Sequence, residues 1–227
     1  MKKKQIRALV SDFLGSLLLA MAVIGSGIMA ESLTNDLAII MFINVFSIIL
    51  ALAVLIATFS QIGVAHFNPI VTLWFLSRKK VSVVEAFELI VVQILGFIAG
   101  VATINYSFGR DFFEKATQPR QSNGIFVAEI IASAGLIFVL TAVTRSDIRG
   151  GAQVWVPVWF GSVIFFTSST AFANPALSLA RTFTDSPTGI TFSHLGTYIL
   201  AQFIGLIIGG LISMYLFQMK FKKPSFK

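Results

Sequence analysis

The chain has 227 residues, of which 56% are hydrophobic and 12% charged, with a net charge of +7. Soluble domains carry about 25% charged residues, so this composition, with a mean hydropathy of +0.86, points away from a soluble domain and toward a membrane protein. Cysteine is absent, which excludes disulfides, thiol nucleophiles and thiolate metal sites.

In chain order the apolar residues fall into six blocks, 8–30, 37–60, 83–108, 123–144, 152–170 and 193–217, each close to the roughly 20 residues that span a bilayer. The first block is too long for a signal-peptide core and lacks a small-x-small cleavage site, so it reads as a span. Pro157 interrupts the fifth. Between spans two and three lies Asn68-Pro69-Ile70, and between spans five and six Asn174-Pro175-Ala176. An Asn-Pro step suits a helix that starts abruptly: Asn caps the end, and Pro occupies the first turn, where no backbone donor is needed. The spacing predicts half-helices over 68–77, stopped by Ser77-Arg78-Lys79-Lys80, and 174–183, stopped before Asp185-Ser186-Pro187. Ten residues, about 15 Å, cross half a hydrocarbon core. The stretches Gly63 to Phe67 and Ser168 to Ala173 are predicted to run extended, with carbonyls turned into a pore. Non-helical backbone at membrane depth must be buried in protein or line a wet cavity.

The halves repeat. Ala65 to Leu73 aligns with Ala171 to Leu179 at an offset of 106, matching Ala, Asn, Pro and Leu and pairing Thr72 with Ser178. Gln93, Gly96 and Gly100 align with Gln202, Gly205 and Gly209, and Asp12 with Glu129. The glycine pairs read as packing positions, where helix backbones approach closely. Three spans per half is an odd number, so the repeats, 8–108 and 123–217 within a single domain 1–227, have opposite orientations. The two Asn-Pro segments then enter from opposite sides and aim positive helix ends at the interior.

With a cytoplasmic N-terminus, thirteen of the 17 basic residues fall inside: Lys2, Lys3, Lys4, Arg7, Arg78, Lys79, Lys80, Arg145, Arg149, Lys220, Lys222, Lys223 and Lys227. Arg110, Lys115, Arg120 and Arg181 fall outside. This is positive-inside asymmetry, with the basic clusters set against anionic lipid rather than nucleic acid.

The Ala-His-Phe-Asn-Pro block at 65–69, the second Asn-Pro-Ala at 174–176, the six spans and the inverted repeat occur together and in order. On these the chain resembles the major intrinsic proteins, the aquaporin and aquaglyceroporin family. The resemblance implies an all-α membrane protein of six transmembrane helices and two re-entrant half-helices, a homotetramer with one pore per subunit, in the plasma membrane with both termini cytoplasmic. It implies that Asn68 and Asn174 donate hydrogen bonds to the permeant, and that the carbonyls of Val64, Ala65, His66, Thr170, Ala171 and Phe172 form an acceptor ladder. Counted from the asparagines, the family's constriction falls on Ile48, Ser162, Ala171 and Leu177. This chain departs from the family there. Leu177 stands where members carry Arg, and the set has neither charge nor ring. Arg181, one turn further on, either replaces the missing guanidinium or lies solvated at the outer surface. Ile70 replaces the first motif's Ala, and Asp12 stands where members usually carry Glu.

A membrane-buried acid is functional or structural. The repeat with Asp12 favours Glu129 as an acceptor for backbone amides of a re-entrant loop over a proton relay. His66 has no ligand partner at metal spacing, and His194 reads as solvated. The hydroxyls at Thr167 to Thr170 lack a base, so catalysis is not expected. Phe172 is the phenylalanine expected to narrow the pore. The reading is a passive, cofactor-free channel for water and small neutral solutes: glycerol-like polyols and, by resemblance to members lacking the filter Arg, neutral metalloid hydroxides. A water-selective channel with Arg181 restoring the filter is the first alternative. A secondary transporter, with Asp12 and Glu129 as its coupling candidates, and a closed-pore scaffold are the others.

Overall fold

The computed structural model describes residues 3–146 and 148–219. Lys2, Lys220, Lys222, Lys223 and Lys227, counted above as topology signals, lie outside the described residues. Among those described are eight α-helices: α1 Lys3–Leu33, α2 Leu37–Phe59, α3 Pro69–Ser77, α4 Val83–Ser107, α5 Asn123–Arg145, α6 Gly151–Phe166, α7 Pro175–Ala180 and α8 Phe192–Leu216. A 3-10 turn, Arg181–Phe183, prolongs α7, so the second half-helix occupies its predicted range but tightens over its last turn.

Most starts carry the expected chemistry. Asp36 caps α2 through the amides of Ala38 and Ile39, Ser82 and Glu85 form a capping box on α4, and Ser122 caps α5. Five helices are long and apolar enough to cross a membrane. The fifth predicted span is shorter than expected. It stops at Phe166 instead of 170 because Thr167 is extended (φ −121°, ψ 151°) and the chain turns there toward the second Asn-Pro start. Its 16 residues give about 24 Å.

α1 packs most extensively on α4, and α5 on α8, which are equivalent pairs in the two repeats. The aligned glycines make this approach possible. A Cβ on Gly96 or Gly100 would run into the backbone carbonyl of Phe13 or Leu17, and one on Gly205 or Gly209 into that of Ile130 or Ala134. Large apolar side chains such as Leu37, Phe42, Phe87 and Tyr215 point outward, the arrangement of a bundle whose solvent is lipid.

Lys4 and Lys80 line one surface hollow, and Lys80, Arg145 and Met219 another, so both ends of the described chain share a face. On the opposite face the segment 108–122 forms a strap over the end of α7. Glu114 and Ala116 donate backbone N–H groups to the carbonyls of Phe183 and Thr182 at 3.1 and 3.2 Å. Thr117 donates through its amide and hydroxyl to Asp185 Oδ1 at 3.0 and 2.8 Å.

Candidate functional site

The two Asn-Pro starts meet in the interior. Asn68 Oδ1 accepts from Ile70 N (3.1 Å), and Asn174 Oδ1 from Ala176 N and Leu177 N (both 3.2 Å). Both asparagines are extended, as a residue before proline should be. Their amides cross between repeats. Asn68 Nδ2 donates to Ala173 O, and Asn174 Nδ2 to Phe67 O, each at 2.8 Å. A primary amide has two N–H donors, so each asparagine keeps a second one.

Behind each cap is a matched polar circuit. Asp12 accepts from His66 N (2.9 Å) and from Gln93 Nε2 (2.6 Å). Gln93 also donates to Thr72 Oγ1, which donates to Asn68 O. In the second repeat Glu129 accepts from Phe172 N (2.8 Å), Ala173 N (3.0 Å) and Gln202 Nε2 (2.8 Å). Gln202 donates to Ser178 Oγ, which donates to Asn174 O. Asp12, Glu129, Gln93 and Gln202 are all fully buried.

The segments before the caps are not extended throughout. Ala65, Phe67, Thr170, Ala171 and Ala173 have φ between 42° and 58°, in the left-handed region. Ala65 and Phe67 correspond to Ala171 and Ala173 across the repeat. The preference before proline acts on the asparagines alone; further back, the acid–amide bonds set the conformation. A non-glycine residue there costs about 1–2 kcal/mol.

A cavity of about 160 Å³ runs past both asparagines and all six expected ladder residues. Toward the terminal face it shares Val64, His66, Phe75 and Thr144 with a hollow of about 540 Å³. His66 stacks on Phe75 (centroids 4.7 Å, 5° between planes), and its Nδ1 lies 3.1 Å from Thr72 Oγ1. Toward the strap it shares Ile48, Ile164, Thr170 and Arg181 with a hollow of about 260 Å³.

Of the four expected constriction residues, Ile48, Ala171 and Leu177 line the cavity. Ser162 does not: it is exposed on the outside of α6, and Ile164 faces inward instead. Two residues along a helix turn about 200°, so a count of −12 from Asn174 reaches the wrong face, whereas −10 reaches the lumen. Ile70 is fully buried in the core, among neither cavity's lining residues. Arg181 is 5% exposed and faces both cavities, its Cζ 3.7 Å from the centroid of Phe172. That removes the solvated alternative.

Arg120, which the charge pattern places outside without a role in the pore, joins this site. It lies on the strap, lines the outer hollow, and its Cζ is 5.4 Å from the same Phe172 ring. His194 is half-buried rather than solvated, and its Nδ1 accepts from Arg120 N at 3.1 Å. Among the described residues no cluster of three metal-ligating side chains occurs.

The model of the major intrinsic protein family matches residues 1–218. Over 212 residues the chain is 32% identical to Aquaglyceroporin AqpS of Rhizobium meliloti (strain 1021), covering 93% of this chain and 91% of that one. It is 27% identical over 213 residues to Nodulin-26 of Glycine max, covering 90% and 75%. A solved aquaglyceroporin from Plasmodium falciparum shares the fold at a TM-score of 0.67, with 21% identity over 94% of this chain and 95% of that one. On this whole-chain match and the shared all-helical fold, the chain belongs to the major intrinsic protein family, whose members are multi-pass membrane channels.

Proposed function

We propose that this chain is a passive channel for water and small uncharged solutes of the glycerol type, with neutral metalloid hydroxides in the same class. The observation that carries the reading is the lumen at the asparagines. Each amide holds one carbonyl of the other repeat at 2.8 Å and keeps a second N–H for a permeant. Extended backbone turns successive peptide groups to opposite sides. Left-handed residues at positions such as Ala65 and Phe67 reverse that flip, which supports a row of acceptors along the lumen.

Both buried acids are engaged by backbone amides and a glutamine, which supports passive conduction over ion coupling. The assembly we propose is a homotetramer in the plasma membrane, with cytoplasmic termini. Arg181 acts as the filter cation one turn beyond the usual place. A water-selective channel is the second reading, favoured by the burial of Arg181 at the constriction.

Stopped-flow light scattering of proteoliposomes in hyperosmotic glycerol tests this. Fast shrinkage followed by reswelling faster than that of empty liposomes is expected. Fast shrinkage without fast reswelling selects the water-only reading, and neither above bare lipid overturns both.

A further inference from the structure

We propose that Arg120 is a specificity-determining residue of the pore, a second guanidinium that the strap between the repeats delivers to the constriction. The proposal rests on the channel reading above.

Arg120 is held in place on every side. Its Nε donates to Gly189 O (2.9 Å), Nη2 to Pro187 O (2.6 Å) and Nη1 to Thr170 Oγ1 (3.2 Å). A further bond ties its backbone N–H to His194 Nδ1. Thr170 belongs to the pre-cap segment and faces both the lumen and the outer hollow, so the guanidinium head sits at the rim where the two join. A guanidinium has five N–H donors. Three are engaged, which leaves at most one on each Nη for a solute, with the Tyr198 hydroxyl a neighbouring acceptor.

The charge there is only partly compensated: the buried Glu129 carboxylate attracts Arg181, while Arg120 repels Arg181. Arg120 and Arg181 both lie against Phe172, and every side-chain acceptor of Arg120 is neutral. The ion pairs among the described residues both belong to Arg110, and no carboxylate lines the outer hollow. Arg181 Nε is buried without a hydrogen-bond partner. Two fixed cations in a place of low dielectric repel cations strongly. Their planar forks also suit a solute that offers several oxygen acceptors. The ligand class is therefore a small neutral molecule carrying more than one hydroxyl.

The test compares the full-length wild type, Arg120→Gln and Arg120→Lys in proteoliposomes, reading water efflux, glycerol entry and proton leak with an internal pH dye. Arg120→Gln is expected to raise proton leak about tenfold, equivalent to ~1.4 kcal/mol, with water flux largely kept. Arg120→Lys should hold the leak at the wild-type level yet shift the glycerol-to-water ratio, because a point charge replaces the fork. A merely structural role would lower all fluxes together, and Lys would not rescue the leak separately from the ratio. Wild-type leak and ratio in Arg120→Gln overturn the proposal while the channel reading stands. Should Arg120→Gln fail to reconstitute, a wild-type ratio in Arg120→Lys overturns it. A wild type no faster than empty liposomes overturns the channel reading, and the role of Arg120 with it.

Discussion

Replacing Glu129 with Gln should loosen the second re-entrant segment. The carboxylate has two oxygens, one facing Phe172 N at 2.8 Å and the other facing Ala173 N at 3.0 Å and Gln202 Nε2 at 2.8 Å. Gln keeps one oxygen and turns an NH₂ group toward whichever partner it abandons, so at least one buried donor meets another donor. An unsatisfied buried donor costs about 1–3 kcal/mol. The segment cannot easily absorb this, because Thr170, Ala171 and Ala173 already sit at positive φ. A loss of ~2 kcal/mol lowers the ordered-to-disordered ratio of the loop about thirtyfold and, on the scale for globular chains of this size, the melting temperature by about 4–8 °C. Thermal unfolding in detergent and water permeability per reconstituted protein check both consequences. A Glu129→Gln protein that melts and conducts like wild type refutes the assignment of this carboxylate as the loop's anchor.

Arg181→Gln removes the guanidinium at the join of the lumen and the outer hollow and should raise proton leak; an unchanged leak would assign the barrier elsewhere. Gly209→Val places side-chain atoms against the carbonyl of Ala134, a backbone atom that cannot swing aside, and should cost about 1–3 kcal/mol. Gly196→Ala meets nothing within 4 Å inside α8 and should stabilise by about 0.4–1 kcal/mol, raising the melting temperature by a few degrees at most. The bonds from the Thr117 hydroxyl and amide hold Asp185 below the usual carboxylate range. A depressed folded value contributes stability above the unfolded one and loses it as the pH falls through the folded one. The strap should therefore hold at neutral pH and loosen only in strong acid. Thr117→Val should move the Asp185 titration, followed by carboxylate NMR, back up toward the usual range.

The repeat, the caps and the five long spans were legible in the sequence because each rests on local chemistry: Asn before Pro, Gly four residues from Gly, and apolar runs of membrane length. Ser162 was misplaced because counting along the chain carries no helical phase, and a two-residue error crosses to the opposite face. The left-handed backbone was missed because Ala65, Phe67 and Ala171 are not residues that advertise positive φ. Distant acids impose it. For Arg120 the charge pattern gave only the side of the membrane: it sits in a loop without periodicity, beside Pro119, and only tertiary contacts with Gly189, Pro187 and Thr170 bring it to the rim.

The two kinds of buried hydrogen bond divide the work in a way that explains the duplication. The acids act within a repeat: Asp12 holds the loop before α3, and Glu129 the loop before α7. The asparagine amides act between repeats, since Asn68 reaches Ala173 O and Asn174 reaches Phe67 O. Ala173 belongs to both systems, because its N–H is held by Glu129 and its carbonyl by Asn68. Loosening the second repeat's loop therefore withdraws an acceptor from the first repeat's cap, and the strain at Ala65 and Phe67 loses part of its restraint. Neither half can fix its own half of the lumen alone. That mutual dependence gives a physical reason for the near-identical circuits Asp12–Gln93–Thr72–Asn68 and Glu129–Gln202–Ser178–Asn174, whereas the rims, with Arg120 and Arg181 on one side only, are free to differ.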